Sequence, residues 1–148
     1  MEYQKFDHHI VLRIDSGEEV TETLRLLAKN EDLRFAKLSG IGAVRRVTLA
    51  FYHTESAEYR TNYFPGTYEF TSMSGNLMCV NGEPHLHAHV TIADRGHRIY
   101  GGHLLKAYVT ATCEMILEII PANLHRVLSP ETGLNAISFS DTDQENMC

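Results

Sequence analysis

From Ile10 to Ile14 every second residue is a large aliphatic: Ile10, Leu12 and Ile14 share one parity, and Val11 and Arg13 take the other. Alternate side chains of a strand leave opposite faces, so the pattern predicts a strand over 8–14 with one face in a core. Asp15-Ser16-Gly17 breaks that alternation. Ser16 followed three residues later by Glu19 has the spacing of a capping box, in which hydroxyl and carboxylate satisfy free amides at a helix start. Val20, Leu24, Leu27 and Ala28 then recur at helical spacing, predicting one amphipathic helix that ends near Asn30.

Beyond the helix the period changes to two. Strands are predicted over 35–38, 44–53, 58–64, 68–74, 76–80, 85–93, 98–105 and 108–120, separated by Gly, Pro, Asn or Asp. In the last of these Ala111, Cys113, Met115, Leu117 and Ile119 share one face, and Thr110, Thr112, Glu114 and Glu118 share the other. The expected fold is an α+β domain of α/β-sandwich type, one main helix on a largely antiparallel sheet. It is expected to span 1–139, with a loose polar tail over 140–148. SGIGAV (39–44) lacks a third glycine and leads into a strand rather than a helix, so it predicts a glycine bend and not a phosphate loop. A short helical turn is expected after Pro130.

At 148 residues, 43% hydrophobic and 22% charged, the chain has the composition of a single globular domain. A net charge of −6 argues against broad nucleic-acid binding, which needs clustered Lys and Arg. No apolar run is long enough to span a bilayer, and the N-terminal residues lack the apolar core of a signal peptide. A cytoplasmic protein is expected. Cys79 and Cys113 lie in apolar runs without CxxC spacing, where a cysteine is expected to be buried.

The candidate chemistry lies in HLHAHV, where His85, His87 and His89 occupy alternate positions of a predicted strand. Asp94-Arg95-Gly96 signals a turn, and His103 follows in GGH. A three-residue loop would pair Ala93 with His97, setting His103 opposite His87 with His85 diagonally beside them. Three neutral imidazoles so placed suit Zn²⁺ with a fourth position open, and His85, His87 and His103 are the expected ligands. His89 is left as a spectator. The competing reading is a solvated polar strand face, since a chain with nine histidines can repeat one by chance.

Five segments, SGIGAV (39–44), GTYEFTSMSGNL (66–77), PHLHAHVTIAD (84–94), YGGHLL (100–105) and VTATCEM (109–115), resemble in order those of the plants and prokaryotes conserved domain, called PPC. The resemblance runs over roughly 8–139. It implies a mainly antiparallel sheet with a helix, a homotrimer, and, in stand-alone prokaryotic members, a metal held by the histidines of PHLH and GGHL. These are again His85, His87 and His103. The Arg-Gly-Arg-Pro hook of plant members is missing, and His89 stands where the family pattern has a small polar residue. Gly66 to Phe70 resembles a segment used for partner contacts in plant members, and here implies subunit contacts.

Three function classes follow. The first is a trimeric zinc-binding or small-ligand-binding module. The second is a metal-dependent enzyme with an open three-histidine site and Glu114, or else Glu69, as base. The third is a DNA-binding regulator by family analogy, against which the charge argues. A cupin-type oxygenase fits poorly, because Thr91 and Ile92 stand where its carboxylate belongs.

Overall fold

In the computed structural model, which describes residues 1–139, the aliphatic alternation at 10–14 forms strand β2 (His9–Asp15), with Ile10, Leu12 and Ile14 buried. The other elements are β1 (Glu2–Phe6), α1 (Val20–Asn30), β3 (Phe35–His53), β4 (Glu58–Val80), β5 (Glu83–Ala93), β6 (Ile99–Ile119), β7 (His125–Leu128) and β8 (Asn135–Ser138). Strand β1 was not anticipated, because EYQKF carries no apolar alternation and is held by its pairing to β2. The expected tail, 140–148, lies outside the described residues.

Six strands form one antiparallel sheet in the order β1-β2-β6-β3-β4-β5, and β5 also pairs with β6. The ring β3-β4-β5-β6 therefore closes on itself at one end. The inner face holds the core, with Leu24, Leu27 and Ala28 of α1 packed against Leu77, Leu86, Val109 and Met115. The expected α+β class holds, but with far more strand than helix, the fold is largely β. Among the described residues no helix is long and apolar enough to cross a membrane.

Several strands expected as separate pieces are continuous. SGIGAV is no chain-reversing bend: β3 runs straight through it with a register shift between Gly40 and Gly42. Its glycines are needed for close approach, since a Cβ on Gly42 would stand 2.6 Å from Sγ of Cys113 on β6. The segment after Pro130 is the turn of the β7–β8 hairpin, and it contains one helical-type bond, from the N–H of Gly133 to the carbonyl of Ser129.

The helix start also differs from the expected box. The N-cap is Glu19, whose carboxylate accepts from the backbone N–H of Thr21 and Glu22. Ser16 instead donates to the carbonyl of Thr110. Glu19 is buried, 5% exposed, and also accepts from the N–H of Ala107 at 3.0 Å. That bond matters to β6, because its buried positions change parity here, from Leu104 to Ala107 and Val109. One carboxylate thus caps α1 and satisfies an amide at the irregular point of β6.

Cys79 and Cys113 are both buried as expected, and burial pushes the Cys113 thiol up to about 12.

Candidate metal centre

On β5 the buried residues alternate from Leu86 through Ala88 and Val90 to Ile92, so His85, His87 and His89 leave the sheet on its outer side. Before the parity change in β6, His103 faces outward as well, between inner-face Leu104 and the turn. The strand phase of both partners therefore sets these four imidazoles on one surface.

The register that joins them differs from the expected one. Ala93 pairs with Ile99, not His97, and His103 pairs with His89, not His87. The cause is Asp94. Its carboxylate accepts from the backbone N–H of Gly96 at 2.8 Å and of Arg98 at 3.1 Å, and binds Nε of Arg98 at 2.8 Å. The N–H of Asp94 donates to the carbonyl of Arg98, closing a longer loop over 94–98. His97 takes the left-handed conformation, at φ 61°, in place of Gly96. A shift of two residues keeps every side chain on its face, so the histidines still converge, but with a different third member.

His87, His89 and His103 each offer a ring nitrogen, and these atoms lie within 4.8 Å of one another. Their ring centroids are 5.5 Å apart for His87–His89, 5.3 Å for His87–His103 and 5.4 Å for His89–His103. Nitrogens on a tetrahedral zinc stand about 3.4 Å apart, given bonds of about 2.0–2.1 Å. Small ring rotations would bring this set onto one ion. His85 is not in the converged group. It lies one step farther along the same face of β5, opposite Met78 of β4.

The electrostatics favour neutral imidazoles, the form that ligates metal. Burial, then the neighbouring charges of His87, His89 and His85, push His103 down to about 4. His87 is lowered by burial, by Arg126 and by His89. His85 is lowered by burial, by Arg126, by His87 and by Arg25.

Two side chains missed by the sequence reading border the cluster. Tyr59 at the tip of β4 has its ring 6.1 Å from that of His103. Arg126, on β7, lies over β4: Nε contacts Sδ of Met78 at 3.1 Å, Nη2 donates to Oδ1 of Asn76 at 3.0 Å, and Nη1 donates to the carbonyl of Asn135 at 2.7 Å. Asn76 and Met78 are the cross-strand partners of His87 and His85. No local sequence pattern marks Arg126, since only the packing of the β7–β8 hairpin brings it here.

Glu69 and Glu114 meet elsewhere. They line a shallow outer groove of about 420 Å³ with Ile41, Ala43, Thr71 and Thr112. Glu69 pairs with Ala93, roughly 13 Å of strand from His89, and Glu114 lies much farther along β6 than His103. The structure sets both glutamates along one groove, on either side of β3, and not with the histidines. Neither stands where a base for an ion there would be needed.

The model of the Plants and Prokaryotes Conserved (PCC) domain matches residues 1–121. The chain is similar to a solved structure from Bacteroides thetaiotaomicron at 26% identity, covering 93% of this chain and 96% of that one, with a TM-score of 0.90. A second, from Ralstonia eutropha, is 28% identical over 93% and 96%, with a TM-score of 0.87. Both are described as a "putative DNA-binding protein". A third, described as a metal-containing protein from Archaeoglobus fulgidus, is 29% identical over 91% and 95%, with a TM-score of 0.81. No curated protein matches the chain.

Proposed function

The chain belongs to the Plants and Prokaryotes Conserved domain family, and on that premise we propose that it is a metal-binding protein with an outward-facing three-histidine centre that takes up a small ligand. The observation that carries the reading is the convergence of His87, His89 and His103 within 4.8 Å. His87 and His103 are common to this set and to the one expected from the sequence, and His89 takes the place of His85. Zinc is favoured, because an all-imidazole set of three suits its tetrahedral preference. The metal-containing description of the Archaeoglobus relative supports the same reading. Bound there, zinc would supply a Lewis-acidic position open to an oxygen ligand. What the protein contributes is a rigid strand pair that presents the rings, and burial that keeps His103 and His87 unprotonated at neutral pH.

The working assembly in this reading is a cytoplasmic homotrimer. It is supported by the apolar side chains on the outer face, with Val11, Ile41 and Ile116 each about half exposed around Glu114. Light scattering of the purified protein tests it, a trimer mass being expected. Calorimetric titration of chelator-stripped protein with Zn²⁺ tests the metal reading. One site per chain is expected in the wild type and none in His87→Ala, and an unchanged isotherm in the variant would remove the site.

The DNA-binding description of the two bacterial relatives supports a second reading, a DNA-associated regulator. It has to contend with a net charge of −6. Binding that weakens steeply with salt would favour it, and absence of binding at low salt would remove it.

A further inference from the structure

Arg126 is half-buried, and burial works against its charge. Among the described residues no carboxylate faces it. Its contacts among the described residues are all neutral, to the sulfur of Met78, the side-chain oxygen of Asn76 and the carbonyl of Asn135. A guanidinium has five N–H donors, so two remain after these contacts. A partly desolvated cation with no ion pair among the described residues is costly to keep, and it is held here by three fixing contacts rather than left to swing into water.

Its position gives that cost a use. Asn76 and Met78 are paired across the strands with His87 and His85, so the guanidinium sits beside the histidine face, and its charge acts on both rings. With a divalent ion on the histidines, this outer face would carry positive charge both from the ion and from the guanidinium. The acidic groups Glu69 and Glu114 lie in a different groove. A neutral ligand would leave both charges uncompensated.

We infer that Arg126 is a specificity residue, and that the ligand of this centre is a small oxyanion, a carboxylate or a phosphoryl group, bound with one oxygen on the metal and another on the guanidinium. The inference rests on the metal reading above and names the ligand class for the same site. The guanidinium fork matches the two oxygens of such a group, which an ammonium does not.

The test uses full-length protein loaded with Co²⁺, whose visible absorption reports the ligands of the ion. Wild-type protein is titrated with acetate, with methylphosphonate and with acetamide, and Arg126→Gln and Arg126→Lys are titrated alongside after their cobalt content is measured. A saturable spectral change with acetate or methylphosphonate and none with acetamide is expected, and the stronger of the two anions identifies the group. Arg126→Gln is expected to keep its cobalt and bind the anion at least about tenfold more weakly, with Arg126→Lys in between. Equal responses to acetate and acetamide in the wild type would overturn the inference without any variant. Cobalt-loaded Arg126→Gln with unchanged anion affinity would overturn it too, leaving the metal reading intact. Wild-type protein that takes up no cobalt would remove the metal reading, and the inference with it.

Discussion

His103 pairs with His89 across the β5–β6 hairpin, and its ring stands 5.3 Å from that of His87, two residues back along β5. The directly opposed pair and the diagonal neighbour together make a triangle of imidazoles. The roles of His85 and His89 therefore separate experimentally. Removing His89 in His89→Ala is expected to weaken zinc affinity by more than about a hundredfold, beyond the loss seen for an outer-shell partner, whereas His85→Ala should change it by less than about tenfold. Competition titrations with a chromophoric chelator measure both. A large loss in His85→Ala with a small one in His89→Ala would restore the register expected from the three-residue loop.

Acidification acts through His103. Its pKa is depressed in the folded chain to about 4, from the ordinary histidine value of 6.5. Between these two values the unfolded chain binds more protons than the folded one, so the stability of metal-free protein falls as pH drops from about 6.5 to about 4 and levels off below. At neutral pH the group is unprotonated in both states and costs nothing. A nuclear magnetic resonance titration of the His103 ring should find its midpoint well below 6. A midpoint near 6.5 would contradict the burial of that ring.

Glu19 links the helix to the strand that carries His103. Glu19→Ala removes the cap of α1 and leaves the buried N–H of Ala107 without its acceptor. The combined loss is expected to be about 2–4 kcal/mol by urea denaturation, larger than for an ordinary exposed cap. Ser16→Ala, at the position the capping-box spacing suggested, should cost less than about 1 kcal/mol, because that hydroxyl bonds Thr110 at the surface.

Gly75 of β4 sits against the strand of histidines. An added Cβ would overlap the carbonyl oxygen of His87 and stand 2.7 Å from Cα of Ala88. Gly75→Ala is expected to cost about 1–3 kcal/mol through overpacking. Since the displaced backbone is that of His87, zinc affinity should fall as well, and stability loss with unaltered affinity would show that β5 is not what gives way.

The periodicities at Ile10 to Ile14 and Val20 to Ala28 were legible in the sequence because each buries one face of a regular element. So were the outward face of β5 and the approach of His87 to His103, which follow from strand parity and a hairpin alone. What was not legible depends on particular side chains acting at a distance. The loop length is set by two backbone hydrogen bonds that the Asp94 carboxylate accepts and by its salt bridge to Arg98, not by the position of Gly96. The parity change in β6 comes with register shifts against β3 near Thr48, so uniform alternation from His103 to Glu114 misjudges how the two are related. Arg126 reaches the histidines only through the packing of β7 over β4, which no local pattern announces.

In the proposed centre the imidazoles of His87, His89 and His103 hold one metal ion. Elemental analysis of protein purified without a histidine tag, comparing the wild type with His103→Ala, tests it most directly. About one zinc per chain is expected in the wild type and almost none in the variant, since His103 supplies one of the three converging ring nitrogens. Equal metal content in the two proteins, or none in either after growth with zinc, would contradict it.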